Sequence, residues 1–313
     1  MNILVTGGAG YIGSHVVKTL LPDNKVIVLD SLENGHRKAV DRKAIFIKGN
    51  VGDKKILSWI FRRHRIDSVI HFAGYINVGE SVKEPYKYYM NNVSQSLQLL
   101  KAMREHSTKR IVFSSSAAVY GNPERVPIPE DSRTLPINPY GSTKLMFERI
   151  LADFGMDYVA LRYFNAAGAA FGLGEDHRPE SHLIPIILKK AMKDEKVTIF
   201  GDDYDTPDGT CVRDYVHILD LADAHVLALS KGEGAYNVGY GKGYSVRQII
   251  NEASRVMKKK VGFTVGPRRE GDPDVLVAES KRIKKLGWKP RHDIRSIIKS
   301  AYSWHMANPN GYS

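Results

Sequence analysis

The chain reads as an α/β protein with a doubly wound, mostly parallel sheet and a smaller α/β substrate-binding domain behind it. Three observations predict this. Short apolar runs alternate with amphipathic stretches through the first half, a glycine-rich turn joins the first run to the first amphipathic stretch, and the regular alternation fades after Arg162. Short apolar strands joined by helical crossovers form parallel sheets that are covered on both faces.

The elements follow in order. Ile3-Leu4-Val5 is the first strand, Gly7-Gly8-Ala9-Gly10-Tyr11-Ile12-Gly13 a turn, and Ser14 to Leu21 a helix; Val26 to Leu29 is a second strand ending in Asp30. Glycines directly after a strand and opening a helix, with a carboxylate about 20 residues on, form the dinucleotide-binding fingerprint of a Rossmann sheet. Gly7 and Gly8 permit the tight turn, Gly10 lets the backbone approach a pyrophosphate, and Gly13 lets helix and strand pack closely. The pyrophosphate sits on unpaired amides at the positive end of the helix. Asp30 suits a ribose with free hydroxyls and repels a 2′-phosphate, so NAD is favoured over NADP. Arg37 and Lys38 lie nearby and moderate that preference.

Further strands are predicted at Ile45 to Ile47, Val69 to Phe72, Ile111 to Phe113 and Val159 to Leu161, with helices over Lys55 to Arg63, Tyr86 to Glu105 and Tyr140 to Phe154. A Gly/Ala segment, Ala166 to Gly174, and a polar stretch, Glu175 to His182, mark a boundary. The reading is an NAD-binding domain over 1–165 and a substrate domain over 166–313, with part of 211–240 returning to the first. Within the second, Leu183 to Met192, Leu219 to Ser230, Val246 to Lys258 and Asp293 to His305 read as helices. Val197 to Phe200 reads as a strand and Asp202 to Thr210 as an acidic loop.

With 313 residues the chain can bury a sizeable core, and its single cysteine, Cys211, excludes an internal disulfide framework. No basic-then-apolar leader precedes the first strand and no apolar run approaches membrane-spanning length, so a cytoplasmic protein without a membrane partner is expected. The net charge of +12 is scattered; clusters such as Lys258-Lys259-Lys260 sit beside helical patterns and read as solvated faces rather than a nucleic-acid surface. A basic surface also attracts an anionic nucleotide. No metal site is expected, since there is one cysteine and no paired histidines. Asp203, Asp205 and Asp208 resemble a calcium loop, but Pro207 occupies a ligand position and no glutamate closes it. His71 reads as a packed strand-end residue.

Three groups carry candidate chemistry. Ser114-Ser115-Ser116 ends an apolar strand, where open α/β sheets bind ligands. Tyr140 and Lys144 stand four apart on a helix that Asn138 caps and Pro139 opens, so phenol and ammonium share a face. A nearby cation favours the phenolate, a nicotinamide cation favours it further, and a serine can share the proton. Tyr140 is therefore the candidate base, with Lys144 and Ser116 as its partners.

The glycine turn, the serine and the Tyr-x-x-x-Lys helix resemble the extended short-chain dehydrogenase/reductase superfamily. Within it the chain is similar along nearly its whole length to the UDP-glucose 4-epimerase family. The matching stretches include His71 to Gly74, Val78 to Ser81, Ser114 to Gly121, Leu161 to Asn165, Ile199 to Tyr204, Gly209 to Asp223, and Arg269-Glu270-Gly271-Asp272. The resemblance implies interconversion of UDP-galactose and UDP-glucose by transient oxidation at sugar C4, with NAD as a returning cofactor. It implies that Tyr11, Ile12, Asp30, Asn34, Val51, Phe72, Ala73, Gly74, Asn91 and Phe164 line NAD, and that Lys144 also holds its ribose. Ser116 and Tyr140 would meet the sugar's 4-hydroxyl, and Tyr163, Asn165 and Leu183 would contact the UDP-hexose. Thr198, Ile199 and Phe200 would read uracil, Arg213 and Arg269 would clamp the diphosphate with help from Tyr215, and Asp272 would hold the uridine ribose. A homodimer is also implied, through second apolar faces of the 86–105 and 140–154 helices, although core packing explains those faces almost as well.

Departures from the family pattern matter. Asn50 stands where an adenine-binding aspartate is frequent, and an amide can still meet an amino group. Ile76 replaces a lysine that some members carry near the cofactor. His182 replaces an asparagine that some members place beside the substrate. Leu276 stands where some members have a bulky tyrosine at the sugar pocket's wall, which would leave room for an N-acetylated sugar. Alternatives stay open: a 4-epimerase of UDP-N-acetylhexosamine or UDP-glucuronate, a nucleotide-sugar dehydratase, and a non-catalytic NAD-sensing protein. Dehydratases that resemble this chain carry acidic residues where it has Ala117-Ala118, and sensing members lack the tyrosine or lysine that it keeps.

Overall fold

The computed structural model describes residues 1–269 and 272–312, so Glu270 and Gly271 of the Arg269-to-Asp272 stretch lie outside the described residues. The first six strands are β1 (Asn2–Thr6), β2 (Lys25–Asp30), β3 (Ile45–Lys48), β4 (Ser68–His71), β5 (Arg110–Ser116) and β6 (Asp157–Tyr163). They lie in the order β3-β2-β1-β4-β5-β6, every pair parallel, and a seventh strand, Gly234–Val238, extends the sheet beside β6.

Both faces of this sheet are buried, which explains why its strands read as continuous apolar runs. Side chains alternate along each strand, so Ile3, Val5, Val26 and Val28 enter one core cluster while Leu4, Ile27 and Leu29 enter the other. The first cluster lies under α1 (Tyr11–Leu20), and the second under α2 (Lys54–His64) and the helices that follow β4. Asp53 caps α2 by accepting the amides of Lys55 and Ile56 at 2.8 and 3.1 Å, worth about 1 kcal/mol. Helix α1 starts at Tyr11, three residues before the expected Ser14, because extended Gly10 already serves as its N-cap.

The stretch expected as one helix over 86–105 is divided. After α3 (Val78–Lys83) come α4 (Pro85–Tyr89), a π-helical segment at Met90–Gln95, and α5 (Ser96–Glu105). Within the π segment Asn92 accepts the Tyr75 amide at 2.8 Å and donates to Tyr75 O and Thr143 Oγ1, both at 3.1 Å. A bulge in the helix is how one buried amide reaches two neighbouring segments. Helix α6 (Pro139–Asp153) begins as expected, with Asn138 accepting the Gly141 amide at 2.8 Å and Pro139 in the first turn.

Beyond β6 the chain leaves the sheet. A four-stranded sheet contains β7 (Asn165–Ala167), β9 (Val212–His217), β11 (Gly243–Ser245) and β13 (Val275–Leu276); β8 (Val197–Phe200) pairs parallel with β12 (Phe263–Gly266). Helices α7 (Leu183–Met192), α9 (Val246–Met257) and α11 (Ile294–Ala307) pack over these strands in a third core cluster, and α10 is Lys281–Lys285. Between β9 and β11 the chain returns. Residues of α8 (Ile218–Ala228) join the core cluster under α1, and β10, the Gly234–Val238 strand, completes the seven-stranded sheet. Arg110 of β5 fastens the intervening turn by donating to the carbonyls of Ala228, Lys231 and Gly232.

Candidate active site

The glycine turn lies beyond the carboxyl end of β1. Gly7 has φ +73°, and a Cβ there would sit 2.6 Å from the Ala73 amide nitrogen; one on Gly13 would sit 2.3 Å from Gly7 O. Both positions demand glycine. At Gly10 no side chain bonds the first turn of α1, so its amides are available to an anion. Asp30 ends β2, buried, and accepts the amides of Ala9 and Leu32 at 2.9 and 2.8 Å. Burial pushes its carboxyl up and those two amides pull it back. A carboxylate fixed this way, beside a turn that only glycine can make, fits a dinucleotide with free ribose hydroxyls.

The other residues expected at the cofactor surround this cradle. Tyr11 donates its hydroxyl to Gly168 O at 2.6 Å, and Ile12 packs against the first core cluster. Gly10, Tyr11 and Asn34 line a small pocket together with His36, His177 and Tyr312. Asn50 accepts the Gly52 amide at 2.7 Å, and Val51 is buried next to it. Phe72 and Ala73 both donate their amides to Thr6 O, at 2.9 and 3.2 Å, which holds Phe72-Ala73-Gly74 against the turn. Asn91 donates to Gln95 Oε1 at 3.3 Å, and Phe164 packs against the core cluster that contains Val119 and Leu145. His71 is buried between Thr6 and Ser96, its pKa lowered to about 3 by burial, as suits a packed strand-end residue.

The serine end of β5 meets the first turn of α6. Ser116 stands near enough to Tyr140 to pull its phenol down, and Tyr140 is buried. One turn further on, Lys144 donates to Ser114 O at 2.7 Å, with its ammonium 5.8 Å from the centre of the Tyr140 ring. Burial lowers the lysine to about 8, against the opposing pull of Glu148. The sequence predicts that Lys144 lowers the tyrosine's pKa. Instead burial dominates and raises the phenol, and the neighbouring Ser116 hydroxyl supplies the counteracting pull. The ammonium is turned toward the Ser114 carbonyl.

Beneath these groups is a polar network that sequence reasoning missed. Ser114 and Tyr163 share a hydroxyl contact; Ser115 and Arg162 both donate to Glu148; Arg162 also donates to Tyr120, and Tyr120 to Asn237. Arg162 and Glu148 are both buried. A charge within an apolar run was the available signal, since Arg162 follows Val159-Ala160-Leu161 directly.

On the other side, β7 and β9 place Asn165 beside Tyr215 in parallel register, and Asn165 donates to Asp214 O at 3.1 Å. Tyr215 is buried and its phenol raised. Thr198, Ile199 and Phe200 lie along β8, with Ile199 buried and Phe200 exposed. The two arginines expected at a diphosphate have partners of their own: Arg213 is paired with Asp272, and the Arg269 guanidinium lies 4.1 Å over the Phe200 ring. Leu276 pairs with Arg213 across β13 and β9 and packs, half-buried, on the cluster that contains Val119 and Leu145.

Leu183 opens α7, and His182 is its N-cap residue. The His182 Nδ1 lies 2.8 Å from Glu175 Oε1 and 3.1 Å from Glu180 Oε1. Burial opposes its charge, but the two carboxylates outweigh burial and raise its pKa to about 10. His177 joins the same group, so one ligand atom from each of Glu175, His177, Glu180 and His182 lies within 4.8 Å of the others. The two histidines, five apart in sequence, are paired after all: an irregular loop brings together what no helical or strand spacing announces.

An NAD dependent epimerase/dehydratase family model matches residues 3–239, and the chain belongs to that family. Within it, the chain is similar to UDP-glucose 4-epimerases over its full length. It is 52% identical to that of Lactobacillus helveticus, covering all of this chain and 99% of the other, and 50% identical to that of Halalkalibacterium halodurans, covering 100% and 98%. A solved UDP-glucose 4-epimerase of Bifidobacterium longum, in complex with NAD+ and UDP, superposes with a TM-score of 0.95 at 41% identity, covering 99% and 100%.

Proposed function

We propose that the chain is an NAD-dependent 4-epimerase that interconverts UDP-galactose and UDP-glucose. The observation that carries this is the meeting of Ser116, Tyr140 and Lys144 at the carboxyl end of β5, in the crevice that the glycine turn also faces. The relatives named above support the choice of sugar.

Gly7, Gly10 and Gly13 would hold the pyrophosphate, and Asp30 the adenosine ribose. When bound, NAD supplies the reversible oxidation at sugar C4, so the hexose passes through a 4-keto form with no net redox change. As the phenolate, which the cationic nicotinamide would favour against the burial that raises the phenol here, Tyr140 would take the C4 hydroxyl proton and later return it. Ser116, whose hydroxyl already pulls the phenol down, would bridge the phenolic oxygen to the sugar hydroxyl and steer the proton. Lys144 adds positive charge one turn away and holds the nicotinamide ribose. Its attachment to Ser114 O fixes where that charge stands. Arg213 and Arg269 turn from Asp272 and Phe200 to the diphosphate. Burial of Tyr140 and Lys144 keeps water from the reacting carbon.

A homodimer rests on Val82, Tyr86, Met90 and Met146, large apolar side chains exposed along α3 to α6. Light scattering should give twice the chain mass, and a monomer at micromolar concentration would refute it. Among the described residues no helix is long and apolar enough to cross a membrane. A cytoplasmic location rests on the single cysteine.

The test is incubation of purified protein with UDP-galactose, without added reductant, followed by product separation. UDP-glucose approaching a stable mixture supports the proposal; recovery of UDP-galactose alone from NAD-loaded protein overturns it. Leu276, smaller than tyrosine and half-buried on the same core cluster as Phe164, favours one addition: UDP-N-acetylgalactosamine should be tried alongside.

A further inference from the structure

We propose that Glu175, His177, Glu180 and His182 bind one first-row divalent transition-metal ion of the zinc class. The donor atoms are already gathered, all within 4.8 Å of one another. Two neighbouring contacts, His182 Nδ1 to Glu175 Oε1 at 2.8 Å and His177 Nδ1 to the same oxygen at 3.2 Å, are close to the spacing of ligands on one ion. Tetrahedral bonds of about 2.0–2.2 Å separate adjacent donors by roughly 3.3–3.6 Å, so small side-chain movements complete the shell.

A second observation points to a ligand independently. His177 Nδ1, whose 3.2 Å contact with Glu175 Oε1 is not aligned as a hydrogen bond, and Glu180 Oε2 are buried atoms without a hydrogen-bond partner, and the Glu180 side chain is only 10% exposed. Buried polar atoms are normally satisfied, and two orphans in one cluster are satisfied together by a cation placed between them. Charge agrees: two carboxylates balance a divalent ion that displaces the proton on His182, leaving both imidazoles neutral. The donor set sets the class, since imidazole nitrogens suit zinc, nickel, iron or copper, whereas magnesium and calcium prefer oxygen alone. Lys189 is the competing cation, 3.8 Å from Glu180 Oε2, and it retains Asp176 at 3.9 Å when an ion takes the glutamate.

The site lies between the two halves of the chain. His177 stacks edge-on against Tyr11 in the first turn of α1, with ring centres 6.3 Å apart, and His182 begins α7. A bound ion therefore clips the 175–182 loop to both helices. The ligand set takes in His182, which the sequence reading placed beside the sugar, so metal and substrate binding should influence each other.

The experiment uses tag-free, NAD-loaded protein, stripped with EDTA and exchanged into metal-free buffer. Zinc is titrated by calorimetry, stoichiometry is read by elemental analysis, and cobalt replacement is followed by visible absorption. One ion per chain is expected, with the strong visible bands of low-coordinate cobalt and a zinc-dependent rise in Tm. His177→Gln and Glu180→Gln should each weaken zinc by at least roughly 100-fold, since even outer-shell changes cost about 10–100-fold; His106→Gln should leave binding intact. Each variant is scored only if it retains NAD and native circular dichroism, and either one suffices. Absence of one-to-one binding in the unaltered protein overturns the proposal, leaving an imidazolium–carboxylate cluster. Equal binding by both variants overturns it as well.

Discussion

Arg162 grips Glu148 at two points beneath the serine end of β5, with Nη2 2.5 Å from Oε2 and Nε 3.0 Å from Oε1. Glu148 stands on α6 one turn beyond Lys144 and two beyond Tyr140, so the pair anchors the helix face that presents the phenol and the ammonium. Removing one partner of a buried pair strands the other charge, at a cost of about 3–5 kcal/mol. Glu148→Gln should lower stability by that amount in urea unfolding, and should depress Lys144 further below about 8, since Glu148 opposes that fall. A loss under about 1 kcal/mol would show that solvent reaches the site.

Tyr140→Phe keeps the ring and removes the proton carrier. Turnover of UDP-galactose should fall by at least roughly 100-fold, the scale of general acid–base contributions. NAD content and UDP affinity should stay near those of the unaltered protein, because the phenol's polar neighbour is Ser116 and not the glycine cradle. Near-full turnover would remove Tyr140 as the base.

Asp30→Ala removes the acceptor expected for the adenosine ribose and also frees the amides of Ala9 and Leu32. NAD affinity should drop by roughly tenfold or more, the value of one charge-assisted hydrogen bond or two. Fluorescence titration measures it. Unchanged affinity would mean that the ribose is held elsewhere.

Asp214 should make stability depend on pH. Burial raises its carboxyl to about 6, outweighing the amides of Gly241, Ala278 and Tyr240 that it accepts. Because the folded pKa is raised, the folded state holds more protons than the unfolded state between about pH 4 and 6, so stability falls as pH rises through that window. The loss is roughly 2–3 kcal/mol and is complete above it. Asp214→Asn should lack this component when urea midpoints are compared at pH 4 and pH 7. Parallel curves for the two proteins would refute the assignment.

The first half of the fold was legible because parallel strands buried on both faces cannot hide polar residues, so β1, β2, β4, β5 and β6 stand out as apolar runs. The second half was less so. β9 carries Arg213, Asp214 and His217, whose partners come from distant segments, and β13 is two residues long. The π segment was invisible because one extra residue in a helical turn barely disturbs the apolar period. In the site, Tyr140 and Lys144 were found through their spacing on one helix. The Glu175-to-His182 cluster was not, because only the folded loop makes its members neighbours.

The return of α8 and β10 to the first sheet has a consequence for how the enzyme can be taken apart and how it can move. A chain cut after 165 would leave β6 as a bare edge and strip α1 of its covering helix, inviting aggregation. The cofactor half is therefore not an excisable module. Backbone runs from one half to the other and back, so the halves are tied at more than one point, and Arg110 holds the α8–β10 turn on the first sheet. A hexose that presents both faces of C4 to one cofactor would do so between two sides that share their scaffolding.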